Sequence, residues 1–184
     1  MTSNAFKRTI NINDSILLIV DIQERLMPVI SRRELVEENA VKLIKFAKSV
    51  GLQIIYTEQE KLGDTLAALK EELSELTPIS KTEFGCFSND TFKERFKDVD
   101  KKTLIIAGVE THICVTQTVL SALDSYDVHV VSDAVSSRTL ENHRVGLDRM
   151  QRAGAVITSV EMVIFELLKK AGTDEFKTAL KLIK

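Results

Sequence analysis

The sequence predicts a three-layer α/β/α fold built on a mainly parallel sheet of roughly six strands. Short apolar runs rich in β-branched residues alternate with longer stretches whose apolar residues recur about every 3.6 positions, which is typical of strands joined by helical crossovers. No repeat, low-complexity tract or linker rich in Pro, Gly or Ser interrupts the alternation. A chain of 184 residues can bury a sizeable core, so we expect one domain over residues 1–184.

Five apolar runs predict strands, and a sixth, shorter run is a weaker candidate. The strong candidates are SILLIVD (15–21), LQIIYT (52–57), TLIIAG (103–108), VHVVSD (128–133) and AVITS (155–159), and the weak one is TPIS (77–80). Between the first two strands, RRELVEENAVKLIKFAKSVG predicts an amphipathic helix ended by Gly51. The same helical spacing recurs over 112–126, 141–153, 160–170 and 173–183.

Composition narrows the class of partner. A net charge of −2, with 27 acidic and 25 basic residues and no basic stripe, indicates neither nucleic acid nor an anionic membrane surface. No apolar segment approaches the roughly 18 residues of a membrane span. Cys86 and Cys114 form no CxxC group, so we expect free thiols in a reducing compartment, the cytoplasm by default or an organelle matrix. The expected partner is a small molecule or another subunit.

Two charged residues follow predicted strands at the edge where parallel sheets bind ligands. Asp21 ends the first strand, and Lys81 follows the weak one inside PISKTEFGCF, which is apolar on both sides. An acid at a strand end is commonly a turn cap, and a lone lysine is usually a solvated charge. The alternative is an ion pair, because both residues lie at the same edge of the sheet and a lysine in this apolar setting requires a carboxylate partner.

Cys114 opens the helix after the third strong strand, within GVETHICVTQT. Its apolar neighbours favour a small core residue, because free cysteine is among the most buried residue types. A thiol in the first turn of a helix, near a lysine, is however favoured as thiolate. Glu110 opposes this, since a nearby anion raises a thiol pKa unless it is paired or directed away. From the residues alone, core and nucleophile both stay open.

The remaining candidates give little support to a metal or a nucleotide cofactor. His112, His129 and His143 form no HxxxH or HExxH cluster, and the glycine patterns of phosphate-binding loops are absent. We therefore expect no cofactor and no metal. Gln23, Gln59, Phe84 and His112 are candidate pocket residues, although Phe84 is equally typical of a core and His112 of a helix surface.

Three segments together resemble the isochorismatase-like cysteine hydrolase superfamily: LLIVDIQE, SKTEF and AGVETHICVTQT. The similarity continues through VHVVSDAVSSR and RMQRAGAVITSVEMVIFELL to FKTALKLIK, so it spans nearly the whole chain. Within the superfamily the sequence is most similar to the isochorismatase domain-containing proteins.

The resemblance implies catalytic roles for Asp21, Lys81 and Cys114. In the family the aspartate takes the thiol proton, the lysine stabilises aspartate and thiolate, and the cysteine attacks a carbonyl to form an acyl-enzyme. It also implies a cis peptide between Val109 and Glu110, with the backbone N–H groups of Glu110 and Cys114 as the oxyanion hole. Family members are commonly homo-oligomers, and the apolar faces of the last two helices agree with that expectation.

The sequence departs from nicotinamidase members of the family after the second strand. Those members carry a D-x-H metal motif, whereas this chain has YTEQEKLGD, with Glu58 and Gln59. The prediction is therefore a metal-independent hydrolase of a small amide or ureido compound. Two alternatives remain: a non-catalytic metabolite-binding or interaction protein on the same scaffold, and an isochorismate-type vinyl ether hydrolase, which needs no acyl intermediate.

Overall fold

The computed structural model describes residues 9–97 and 99–183, and in it six strands form one parallel sheet. The strands are β1 (Ser15–Val20), β2 (Gln53–Gln59), β3 (Ile79–Lys81), β4 (Thr103–Val109), β5 (Asp127–Ser136) and β6 (Val156–Thr158). Their order across the sheet is β3-β2-β1-β4-β5-β6, and every neighbouring pair is parallel. The predicted fold class is confirmed, with the weak sixth strand present at one edge.

Seven helices connect and cover these strands within the described residues. They are α1 (Arg33–Ser49), α2 (Ala67–Glu72), α3 (Asp90–Lys97), α4 (Thr116–Ala122), α5 (Leu140–Ala153), α6 (Val160–Leu168) and α7 (Asp174–Ile183). The sequence pattern did not predict α2 and α3, which are short. The predicted helix at 112–126 is divided into a single π-helical turn, Thr111–Val115, followed by α4.

Alternating side chains of the strands divide the core into two apolar layers. In β1, Leu17 and Ile19 pack with residues of α1, α6 and α7, whereas Ile16, Leu18 and Val20 pack with residues of α3, α4 and α5. Since both faces of the sheet are covered, the strands are apolar throughout rather than alternating with polar residues. None of the described helices has the length and apolar character required to cross a membrane.

The strand order places the centre of the sheet at β1 and β4. The crossover direction reverses there, and in open parallel sheets ligands bind beyond the carboxyl ends of the strands at this reversal. Asp21 directly follows β1, and Glu110 directly follows β4. The fold therefore brings the first predicted catalytic residue and the start of the Cys114 turn to adjacent strand ends.

Gly108 allows β1 and β4 to approach each other closely just before the site. It has φ +134, and a Cβ built on it would collide with the backbone of Val20, its partner in β1. Only glycine fits this position without moving one of the two strands.

Gly108→Ala is expected to lower the free energy of unfolding by at least about 2 kcal/mol, because the strained φ and the collision add. Gly51→Ala is the matched control. Gly51 also has a positive φ, +69, but its Cβ would meet nothing within 4 Å, so the cost there is about 1 kcal/mol. Urea unfolding followed by circular dichroism measures both. Equal losses in the two variants would show that the β1–β4 approach is not tight.

Candidate active site

A buried ion pair lies at the carboxyl edge of the sheet. Lys81 Nζ is 2.6 Å from Asp21 Oδ2, and both side chains are inaccessible to solvent. The hydroxyl of Thr57 donates to the other carboxylate oxygen, Oδ1, at 2.7 Å. Asp21 has φ 52, a left-handed conformation that Asp tolerates better than most residues. Both carboxylate oxygens are thus fixed by neighbours on β2 and β3.

Lys81 reaches three further acceptors, all of them uncharged. Its Nζ lies 2.9 Å from Gln59 Oε1, 3.2 Å from the carbonyl oxygen of Glu83 and 3.3 Å from that of Phe84. A buried ammonium group is tolerated only when it is paired and its donors are satisfied. Here one carboxylate supplies the opposite charge and three neutral oxygens supply the remaining hydrogen bonds.

The Cys114 thiol completes the cluster. Cys114 lies in the π-helical turn and is 6 % exposed. The Asp21 carboxylate and the backbone N–H of Glu110 lie close enough to the thiol to act on its pKa, in opposite directions. The structure therefore brings Asp21, Lys81 and Cys114, the three residues that the sequence singled out, into one buried site.

The resting thiol is less acidic than its helix-start position suggested. Burial, followed by the negative charge of Asp21, raises the pKa of Cys114 to about 12, while Lys81 and the Glu110 N–H act in the opposite direction. The balance between thiol and thiolate, left open by the sequence, lies on the side of the thiol, because the low dielectric and the carboxylate outweigh the lysine. At neutral pH the sulfur therefore keeps its proton, with the Asp21 carboxylate as its charged neighbour.

The carboxylate of Glu110 is neutralised by a cation, although its position in the sequence suggested that it could disfavour a thiolate at Cys114. Its Oε2 accepts hydrogen bonds from the backbone N–H of Arg138 at 2.9 Å and from Arg138 Nε at 3.1 Å. The carboxylate is therefore paired with a cation on the loop after β5. The peptide bond between Val109 and Glu110 is cis.

The four candidate pocket residues have different environments. Gln23 is fully buried, and its amide nitrogen donates to the carbonyl oxygens of Gln59 and Gly63. Gln59 contacts Lys81, as described above. The side chain of Phe84 is 54 % exposed, although its carbonyl oxygen accepts from Lys81. His112 Nδ1 lies 3.0 Å from the hydroxyl of Ser137.

The possible metal ligand at the end of the second strand, Glu58, is engaged in hydrogen bonds within the protein. Glu58 Oε1 accepts from both the backbone N–H and the hydroxyl of Thr65, at 2.8 and 2.7 Å. Across residues 9–97 and 99–183, no group of three or more His, Cys, Asp or Glu side chains is arranged to hold a metal ion. The residues at the place of the nicotinamidase motif thus serve internal contacts.

Sequence reasoning missed Thr57, Arg138 and the position of Cys86. Cys86 is fully buried, and burial, followed by the charge of Asp21, raises the pKa of its thiol to about 11. Its backbone N–H donates to the hydroxyl of Thr118, which itself donates to the Cys114 carbonyl oxygen. The role of Thr57 follows from the β1–β2 register, which pairs it with Val20 next to Asp21, and no sequence signal indicated it.

Comparison with known proteins identifies the family. The model of the isochorismatase domain matches residues 15–162. A secreted isochorismatase effector, Isc1, of Phytophthora sojae is 35% identical over 94% of this chain and 85% of its own length. Isochorismatase domain-containing protein 2 of Xenopus laevis is 33% identical over 92% of this chain and 83% of its own.

Solved structures agree in fold. A structure named MAR1 ribonuclease, from Caenorhabditis elegans, has a TM-score of 0.88 and 34% identity over 96% of this chain and 92% of its own. YcaC of Pseudomonas aeruginosa, with hexane-2,5-diol and covalent acrylamide, has a TM-score of 0.89 and 28% identity over 96% and 92%. YcaC of Escherichia coli, described as an octameric hydrolase of unknown specificity, has a TM-score of 0.88 and 28% identity over 95% and 90%. The chain therefore belongs to the isochorismatase family, in the branch of the isochorismatase domain-containing proteins.

Proposed function

We propose that this protein is a metal-independent cysteine hydrolase that cleaves the C–N bond of a small amide or ureido-type metabolite. The observation that carries the proposal is the burial of the Cys114 thiol beside the carboxylate of Asp21, whose two oxygens are held by Lys81 and Thr57. A nucleophile, a base and a cation that orients the base are the parts that acyl transfer through cysteine requires.

In the acylation step, Asp21 takes the thiol proton while Cys114 Sγ attacks the substrate carbonyl carbon. The backbone N–H groups of Glu110 and Cys114 stabilise the oxyanion that forms. Collapse of the tetrahedral intermediate breaks the C–N bond, and the leaving amine takes the proton from Asp21. Water then attacks the thioester with Asp21 again as base, which releases the acid and restores the thiol.

A neutral resting thiol is compatible with this sequence of steps. Because the Asp21 carboxylate lies beside the thiol, proton transfer can accompany attack, and a thiolate need not exist beforehand. Lys81 then lies beside the proton acceptor and near the sulfur, so its positive charge offsets the anion that develops. The covalent acrylamide in the Pseudomonas structure, an amide-bearing electrophile on the same fold, supports a covalent mode of action.

A non-catalytic metabolite-binding protein is the second candidate, and the raised pKa of Cys114 is the observation that favours it. A buried thiol that keeps its proton at neutral pH is typical of structural cysteines. The two candidates differ in whether an amide is released unchanged or hydrolysed.

We also propose a homo-oligomer, supported by the octameric Escherichia coli neighbour. On α6, Met162 is 51 % exposed and Phe165 is 41 % exposed, so this helix leaves apolar surface uncovered in the single chain.

A reducing compartment, the cytoplasm by default, is proposed because Cys86 and Cys114 are free thiols.

Cys114→Ala is expected to abolish hydrolysis, lowering turnover by at least about a thousandfold with the fold intact, because the nucleophile is lost. Ammonia release from a panel of primary amides and ureido compounds measures this, and peptide mass spectrometry detects the acyl adduct on wild-type Cys114. Cys86→Ser is the matched control, with less than about a tenfold loss. Undiminished turnover in Cys114→Ala would overturn the cysteine mechanism and favour ether-type hydrolysis. Cleavage of an oligoribonucleotide in place of any amide would overturn the substrate class.

Alkylation of Cys114 by iodoacetamide is expected to be slow at neutral pH, because the pKa of Cys114 is raised. Its rate should keep increasing above the free-thiol pKa of about 8.5, where the rate of an ordinary thiol levels off. Asp21→Asn is expected to speed alkylation, since it removes a negative charge that raises this pKa, and to abolish turnover, since it removes the base. Peptide mass spectrometry over a pH series measures alkylation at Cys114 and Cys86 separately. Slower alkylation in Asp21→Asn would contradict the assigned contact.

The protein is expected to sediment as a species larger than a monomer at micromolar concentration. Joint replacement of Met162 and Phe165 by lysine should shift the distribution towards smaller species, because burying lysine in an apolar interface is costly. Glu161→Lys, a polar position on the same helix, is the control. A wild-type protein that sediments only as monomer would refute the proposed assembly.

A further inference from the structure

We propose that Gln59 is a positioning residue for Lys81, holding the ammonium group with an uncharged acceptor so that the lysine charge acts on Asp21 and Cys114. The proposal rests on the proposed function, since it concerns the same site. Its starting point is the 2.9 Å contact from Lys81 Nζ to Gln59 Oε1, beside the 2.6 Å contact to Asp21. Gln59 is the only side chain besides Asp21 that accepts from Lys81 among these contacts.

The orientation of the Gln59 amide is fixed from both ends. Its Nε2 donates to the carbonyl oxygen of Thr82 at 2.7 Å, which leaves Oε1 directed at Lys81. Its backbone N–H donates to Gln23 Oε1 at 2.8 Å, and Gln23 Nε2 returns a hydrogen bond to the Gln59 carbonyl oxygen at 3.0 Å. Gln59 is also paired with Lys81 in the β2–β3 register. Such reciprocal bonding restricts the acceptor to one place.

Two neighbouring carboxylates, those of Glu58 and Glu83, are engaged away from Lys81. Glu58 accepts from Thr65, and Glu83 accepts from the side chain of Asn89 at 2.9 Å and from the backbone N–H of Thr82. The lysine therefore faces one anion, Asp21, and otherwise neutral oxygens. The thiols near this pair are those of Cys114 and Cys86, both of which feel the charges of Asp21 and Lys81.

Neutrality at position 59 has a direct electrostatic consequence. With glutamine, the ion pair carries no net charge, and ionising Cys114 creates a single negative charge. With glutamate, the lysine would be shared between two carboxylates, and the thiolate would form beside an anion already present. A nearby like charge raises a thiol pKa, here by about one unit.

Iodoacetamide alkylation of Cys114 at about pH 9 tests the proposal in Gln59→Glu and Gln59→Leu. A rise of one pKa unit lowers the thiolate fraction about tenfold, while each thiolate becomes about threefold more nucleophilic. The expected alkylation rate in Gln59→Glu is therefore about threefold below wild type. Gln59→Leu, which removes the acceptor without adding charge, is expected to lie between the two. Gln53→Glu adds the same charge at the exposed start of β2 and is expected to match wild type. Circular dichroism verifies the fold of each variant.

Equal rates in Gln59→Glu and Gln59→Leu would overturn the proposal, because the side chain would then act only by filling space. Rates in both variants equal to wild type would overturn it as well. Asp21→Asn, measured alongside, separates this failure from failure of the proposed function. If Asp21→Asn alters the rate and Gln59→Glu does not, the role of Gln59 is wrong and the triad stands. If neither alters it, the electrostatic coupling between Asp21 and Cys114 is wrong.

Discussion

The Asp21–Lys81 ion pair is the contact on which the rest of the site depends. Removing two ions from water costs several kcal/mol for each, and only close pairing with satisfied hydrogen bonds offsets that cost. Both side chains are fully buried at 2.6 Å, so Thr57 and Gln59 are needed to satisfy their remaining oxygen and hydrogen atoms. Since these residues lie on or directly after β1, β2 and β3, the pair also fixes how three strand ends meet.

The same pair sets the chemistry of the thiol through two opposing charges. Asp21 disfavours a thiolate and Lys81 favours it, and with burial the balance leaves Cys114 protonated. In the proposed mechanism, this same carboxylate beside the thiol removes the proton during attack. The pairing of Glu110 with Arg138 keeps a second carboxylate from adding to the charge of Asp21. The site thus disfavours a thiolate while it keeps a carboxylate beside the thiol.

Sequence patterns predicted the parts of this arrangement that repeat along the chain. The apolar runs gave every strand of the sheet, and the strand ends gave Asp21 and Lys81 as neighbours. The short helices α2 and α3 were not predicted, because six to eight residues hold too few helical repeats for a periodic signal. The roles of Thr57 and Arg138 were not predicted for a different reason: they depend on strand register and side-chain direction, which no local pattern specifies. The pKa of Cys114 likewise follows from burial, a property of the folded chain.

The sheet order explains why Asp21 and Cys114 meet although 93 positions separate them in the chain. The chain leaves β1 at Asp21, builds β2 and β3 on one side, and returns to pair β4 with the free edge of β1. Gly108 then permits the backbones of β4 and β1 to come closer than a side chain would allow. Beyond that contact, the turn after β4 delivers Cys114 to the carboxylate that β1 presents. A parallel sheet with this order needs only that short turn to bring Cys114 to Asp21, because its two central strand ends already meet there.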